Sequence, residues 1–297
     1  MAIKFSKGVK LMLIAGFSFA WMNVCVKFIG YVPVFEVILF RAGITLFISY
    51  LVLKKRKVNP WGTHHKFLIA RGLFGAGGLV CFFYTLQHMA LANAIVIHYL
   101  SPIFTTLIAM LFLKEKVRVI QWLSFAISFT GVVMVKGFSN VSTFDFMAGI
   151  LGAFFTGLAY NAIRNMKDKE DADVIIFYQP LVAMPLVIGY FILFPEDLIM
   201  PHRALDWIFL IATGIFTQIG QYFITRAYQA DTAARVSSVS YVGIIWGVLM
   251  GKFIFHDKYP ADVLTGMAVV LAGIILNLNA LRFTKALKSF RQLLADD

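Results

Sequence analysis

Gln218, Gln221, Tyr222 and Thr225 stand at i, i+3, i+4 and i+7 inside a stretch, 207–227, that is otherwise apolar. That spacing gathers two amides, a phenol and a hydroxyl on one helix face. Such a stripe can hydrogen-bond a polar solute in a wet cavity or bind a neighbouring helix. We read it as solute-binding, because four polar neighbours exceed what one packing contact needs. A second group lies in 92–113, where His98, Ser101 and Pro102 cluster. Pro102 cannot donate to the carbonyl of residue 98, so a helix there breaks and leaves that oxygen beside an imidazole. With an ordinary pKa near 6.5, His98 is also the candidate for coupling to protons. The corresponding later segment offers Ser238 and Tyr241, hydroxyls without charge. Arg41 sits about 10 Å inside its own stretch at 1.5 Å per residue, too deep to snorkel to water. It needs an acceptor: freed carbonyls, a tyrosine, Glu36 or an anionic solute. Tyr160, Asn161, Trp21, Asn23 and Tyr84 complete the candidate binding residues.

These groups are polar exceptions in an apolar chain. Hydrophobic residues make up 60% of the 297 and charged residues 14%, and the mean hydropathy is +0.80. A soluble domain of this length carries about 25% charged residues. The charges stand in short clusters, separated by runs of about 20 residues, the length that crosses a bilayer core as a helix. Ten such runs are expected: 8–29, 34–53, 69–89, 92–113, 118–136, 146–165, 174–194, 207–227, 233–255 and 262–281. Solid apolar runs argue against a membrane barrel, whose strands alternate.

With the N-terminus inside, 21 of the 27 lysines and arginines fall on the inner side, four fall outside, and Arg41 and Lys252 lie within spans. The positive-inside rule then places both termini in the cytoplasm. The +12 net charge belongs to lipid-facing loops rather than to a nucleic-acid surface. Cys25 and Cys81 both lie within spans, no Cys/His spacing forms a metal site, and no cofactor is expected. The spans carry no acid pair or nucleophile constellation for an intramembrane enzyme, and no charged ring or filter motif for a channel.

The sequence also repeats. Glu115 and Asp257, Lys116 and Lys258, and Gly131 and Gly273 are each 142 residues apart, and "ALANAIV" (90–96) matches "ADTAARV" (230–236) at 140. Five spans per copy is odd, so the second copy enters from the opposite side. The expected fold is an all-α integral membrane protein of ten helices in two inverted five-helix repeats, 1–137 and 146–282, followed by a basic cytoplasmic tail, 283–297. Inverted halves suit alternating access around a midplane site.

This order of helices, with "FRAGITL" (40–46), "SPIF" (101–104) and "FLKEK" (112–116), resembles the EamA family of the drug/metabolite transporter superfamily over about 8–282. The resemblance implies a secondary transporter or exporter of small metabolites, with a central cavity lined by both halves. Gln179 stands where Arg41 is and Val242 where Pro102 is, so charge at those positions is one-sided. Arginine and histidine without acids among the candidates favour an amino acid or organic carboxylate. A lipid or amphiphile flippase and a multidrug exporter are the alternatives. Gly243, Gly247 and Gly251 form a small-residue ridge read as internal packing, which leaves the protein a monomer or weak homodimer in the cell or inner membrane.

Overall fold

The computed structural model describes residues 6–88, 94, 97–136, 142–199, 201–256 and 261–280. Among them every regular element is helical: α1 (Lys7–Phe28), α2 (Val34–Lys55), α3 (His65–His88), α4 (Ser101–Phe112), α5 (Val119–Lys136), α6 (Thr143–Asn165), α7 (Ala172–Leu193), a 3-10 turn (Pro195–Asp197), α8 (Ala204–Ala230), α9 (Ala233–Val239), α10 (Val242–Ile254) and α11 (Ala261–Leu278). Six segments are long and apolar enough to cross a bilayer: α1, α2, α6, α7, α8 and Ala233–Ile254. Ser101–Phe112, Val119–Met134 and Leu264–Leu278 are apolar but shorter. The turn at Asp257–Lys258, most of 90–96 and the 283–297 tail lie outside the described residues.

Local chemistry explains the boundaries. The Ser6 hydroxyl accepts the Val9 N–H at the start of α1, and the Ser142 hydroxyl accepts that of Asp145 at the start of α6. The Asp171 carboxylate accepts the Asp173 N–H at 2.9 Å, opening α7. Pro102 falls in the first turn of α4, where its missing N–H costs no helical bond. Residues 97–98 are helical, Tyr99 and Leu100 form a turn, and α4 begins after it. The later stretch breaks likewise at Ser240–Tyr241, between α9 and α10. The Tyr99 carbonyl exposed by the first break accepts the Tyr241 hydroxyl at 3.1 Å, and the two rings stack 5.6 Å apart. A side chain at the second break therefore satisfies a carbonyl at the first.

The helices pair in a reciprocal pattern. α1 packs on α8, α3 on α6, α2 on α7, and α5 on α11. Gly131 of α5 faces Gly266 and Val270 of α11, and 142 residues later Gly273 of α11 faces Ser124 and Ser128 of α5. A Cβ at Gly131 would lie 2.7 Å from the Gly266 oxygen, so glycine is what lets these backbones approach. The residues just past α4 and α10 share a backbone form as well. Lys114 and His256 have φ of 52° and 55°, each one residue past a helix C-cap, at Leu113 and Phe255.

Candidate functional site

α2 and α7 pack together, and the N-terminal half of each contributes matching positions to a cavity. Ile38, Arg41, Ala42 and Thr45 of α2 oppose Ile176, Gln179, Pro180 and Ala183 of α7, one set 138 residues after the other. Ala76 and Leu79 of α3 and Thr217 and Gln221 of α8 close the sides. The cavity has about 20 Å³ of free volume, room for roughly one water molecule.

One guanidinium, of Arg41, lines this cavity, and a second, of Arg71, is bonded to two residues of its wall. Arg41 lines its wall, and among the described residues its Nη1 donates to the Met22 sulfur alone, at 4.0 Å. Arg71, 2% exposed, donates from Nη2 to Gln179 Oε1 at 3.0 Å and to Gln221 Oε1 at 3.3 Å, while its Nε has no partner. Among the described residues no carboxylate lies within ion-pair distance of either arginine. Glu36, five residues before Arg41 on the same helix, bonds instead to the Ile199 N–H. Positive charge held away from water without a counter-charge is costly, and is retained where an anion uses it.

By its position in the sequence Arg71 is one of the 21 inner-side basic residues. It is in fact buried, and Gly75 one turn on makes the space: a Cβ there would collide with the Arg71 guanidinium. The "RGLFGAGG" run (71–78) was the available signal, small residues around a single charge. Gln179, noted only as the counterpart of Arg41, holds Arg71.

The candidate residues divide. Gln221 lines the cavity, whereas Gln218 pairs with Ser49 of α2, its Nε2 donating to Ser49 Oγ at 2.9 Å. Tyr222 carries the Arg226 guanidinium over its ring at 4.2 Å, away from the cavity wall. Thr225 is fully buried, with an unpartnered hydroxyl. The Asn161 amide donates to the Thr105 and Gly157 carbonyls, both at 2.8 Å, joining α6 to α4. Tyr160 stacks on Tyr228, Trp21 on Phe216, and His98 tilts against Phe82. The Ser101 carbonyl and the Ser238 hydroxyl make local helix bonds. Tyr84 donates to Asp145 at 3.2 Å, near the ends of α3 and α6. Asn23, two residues from Trp21, turns outward and is exposed. The difference between the two glutamines is testable. Gln218→Ala is expected to lower stability by about 1–2 kcal/mol, the cost of orphaning Ser49, without changing substrate affinity. Gln221→Leu is expected to weaken affinity about tenfold, about 1.4 kcal/mol. Melting temperature and ligand titration on the same purified variants check both.

Both ends of the bundle are closed by contacts between the first and second halves of the chain. At the lysine-rich end, Arg56 pairs with Asp171 at 2.9 Å and with Asp173. Arg164 pairs with Glu115 at 2.7 Å, and the other Glu115 oxygen accepts the Ala233 N–H at 2.9 Å. Glu170 accepts from the Thr63 N–H at 2.6 Å, the Thr63 hydroxyl at 2.7 Å and the His64 N–H. At the opposite end Tyr31 donates to Asp206.

A cavity lined by helices of both halves of the chain, with polar contacts between the halves at each end, is an arrangement that suits a membrane transporter. The chain belongs to the EamA-like transporter family, whose model matches residues 6–137 and again 144–279. It is 33% identical over 280 residues to the pseudopaline exporter CntI of Pseudomonas aeruginosa, covering 91% of this chain and 95% of that protein. It is 30% identical over 287 residues to an uncharacterized transporter of Helicobacter pylori, with 92% and 95% coverage. It is 29% identical over 280 residues to human solute carrier family 35 member G1, with 88% and 75% coverage. A solved crystal structure with 18% sequence identity superposes with a TM-score of 0.81 over 91% of this chain. The protein is thus a multi-pass membrane protein and a small-molecule transporter.

Proposed function

We propose that the protein exports a small metabolite bearing a carboxylate, an amino acid or organic acid, by alternating access. The observation that carries this reading is Arg41 on the cavity wall and Arg71 bonded to the wall residues Gln179 and Gln221, with no carboxylate within ion-pair distance of either arginine among the described residues. An arginine fork holds a carboxylate with two parallel bonds. Gln179 and Gln221 already orient Arg71, and the unpartnered Thr217 hydroxyl adds a polar atom on the same wall. With room for only about one water, the cavity must widen to admit a metabolite. In this reading 1–137 and 146–282 are ten helices in two inverted repeats, and they rock about the Tyr99–Tyr241 stack. The reciprocal glycine contacts at 131 and 273 support that symmetry. The lysine-rich end is cytoplasmic, and its ion pairs are the inner gate.

A second reading, movement of an amphiphile, is favoured by an apolar cleft of about 340 Å³ beside α2 and α7, lined by Gly43, Leu46, Phe47, Tyr50 and Phe177. Proteoliposome counterflow with a panel of carboxylates, cationic drugs and labelled lipids separates the two, and exchange confined to carboxylates is expected. Orientation is checked in a chain with Cys25 and Cys81 replaced by serine. His202→Cys should then react with an impermeant maleimide from outside, and Asp168→Cys only after permeabilisation. The reverse pattern overturns the orientation.

A further inference from the structure

Glu36 has no part in carboxylate binding as described. It lies in the first turn of α2 and is 0% exposed. Its Oε2 accepts the backbone N–H of Ile199 at 3.0 Å, and Ile199 belongs to the connection between α7 and α8. Its Oε1 is buried and has no hydrogen-bond partner among the described residues. The carboxyl group therefore ties the first half of the chain to the second at the end opposite the lysine-rich one, with a single N–H to satisfy it.

The ionisable groups presented by neighbouring elements are committed elsewhere or turned away. Lys27, at the end of α1, sits over the Phe255 ring at 4.0 Å. Tyr31 donates to Asp206 of α8, whose carboxylate also accepts the Arg203 N–H at 3.1 Å. From α7 and the turn after it, Tyr190 donates to Asp197, and Glu196 is exposed. His202 and Arg203, before α8, are exposed. Arg41 is five residues along α2, about 140° round the helix, and faces the cavity. A carboxyl group removed from water is tolerated as an anion when it is paired or fully hydrogen-bonded, and otherwise takes up a proton. Glu36 has neither a cation nor a full set of donors among the described residues.

We propose that Glu36 is a proton-binding site that couples the outer gate to pH. The carboxyl holds a proton while α2 and the α7–α8 connection are closed over it. When that end opens, the Ile199 bond parts, water reaches the carboxyl, and the proton passes to the outer solution. Closing the gate takes a proton back from the same solution. Protons at that face thus favour closure, and the return step of the transport cycle draws on them. This rests on the alternating-access reading and moves the coupling group from His98, which packs on Phe82, to Glu36.

Two measurements test the proposal. Glu36→Gln keeps an acceptor for the Ile199 N–H but cannot titrate. In lipid nanodiscs, infrared difference spectra of the parent across a pH titration should show a protonated-carboxyl C=O band, lost in Glu36→Gln. In proteoliposomes the parent's counterflow should vary with outer pH, and Glu36→Gln should lose that dependence while still exchanging substrate. An unchanged band, or an unchanged pH profile in the variant, overturns the proposal. If the parent moves no carboxylate at all, the transport reading fails, and the infrared result alone decides Glu36. Should Glu36→Gln not fold, Glu36→Asp is expected to shift the band, and an unshifted band counts against the site.

Discussion

Arg71→Met is expected to weaken apparent affinity for a carboxylate substrate by about 100-fold, about 2.7 kcal/mol. Truncating one member of a buried charge pair costs about 2–5 kcal/mol, and the substrate anion is the partner proposed for this guanidinium. The same variant should not be less stable without substrate. Arg71 is 2% exposed, bonded to two neutral amides, and has an unpartnered Nε. Replacing an uncompensated buried charge with an apolar side chain of similar length is neutral or stabilising. The substrate-free melting temperature should therefore hold or rise while the ligand-induced shift disappears. A structural arginine would give the opposite pattern, a lower melting temperature with a retained ligand shift. Arg71→Lys should fall between, near tenfold, because an ammonium lacks the planar fork that reaches Gln179 and Gln221 together. Thermal-shift titration of all three proteins against one carboxylate reads the whole series.

Glu115→Ala is expected to open the lysine-rich end. Glu115 holds Arg164 with one oxygen and caps the first N–H of α9 with the other, so one change breaks both ties across the halves. Removing one partner of a buried ion pair costs about 3–5 kcal/mol. These side chains are 15% and 12% exposed, so the lower end, about 3 kcal/mol, applies to the closed form. That shifts the balance of closed to open by about 100-fold. In a chain freed of its native cysteines, a cysteine at the buried Thr225 should become labelled far faster once Glu115 is alanine.

Acid should act on the same end. Burial pushes the Glu170 carboxyl up, but the bonds from Thr63 and His64 more than offset it and hold it below the usual carboxylate range. For Asp171, burial again opposes, and the Arg56 pair brings the group down. Groups lowered in the closed form stabilise it above the ordinary carboxylate range, and that contribution is lost as pH falls through the lowered values. Labelling at position 225 should rise on acidification of that face.

Much of the architecture is written in the chain's periodicity. The limits of α1, α2, α6 and α7 lie within three residues of the apolar runs, because in lipid a helix must satisfy its own backbone and the charges must stop at the interface. The matched turns after Leu113 and Phe255 were visible as two interruptions at one spacing. The site was only partly legible. Periodicity puts Gln218 and Gln221 on one face, but whether a neighbour such as Ser49 takes up an amide depends on which helix packs there. Arg71 looked like an interfacial base because it stands near Lys66, and only the glycines beside it hinted at burial. The Pro102 break was readable, whereas the Tyr241 hydroxyl that satisfies the Tyr99 carbonyl comes from 142 residues away.

Recognition of a carboxylate by Arg41 and Arg71, in a cavity reached from alternate sides, is what the proposed function stands on. Counterflow into proteoliposomes measures it most directly, using one amino acid or organic acid and its methyl ester, with the parent and with Arg41→Gln and Arg71→Gln. The parent should exchange the free acid rapidly and the ester little, and both variants should lose acid exchange. Equal exchange of acid and ester by the parent, or undiminished acid exchange by either variant, would contradict it.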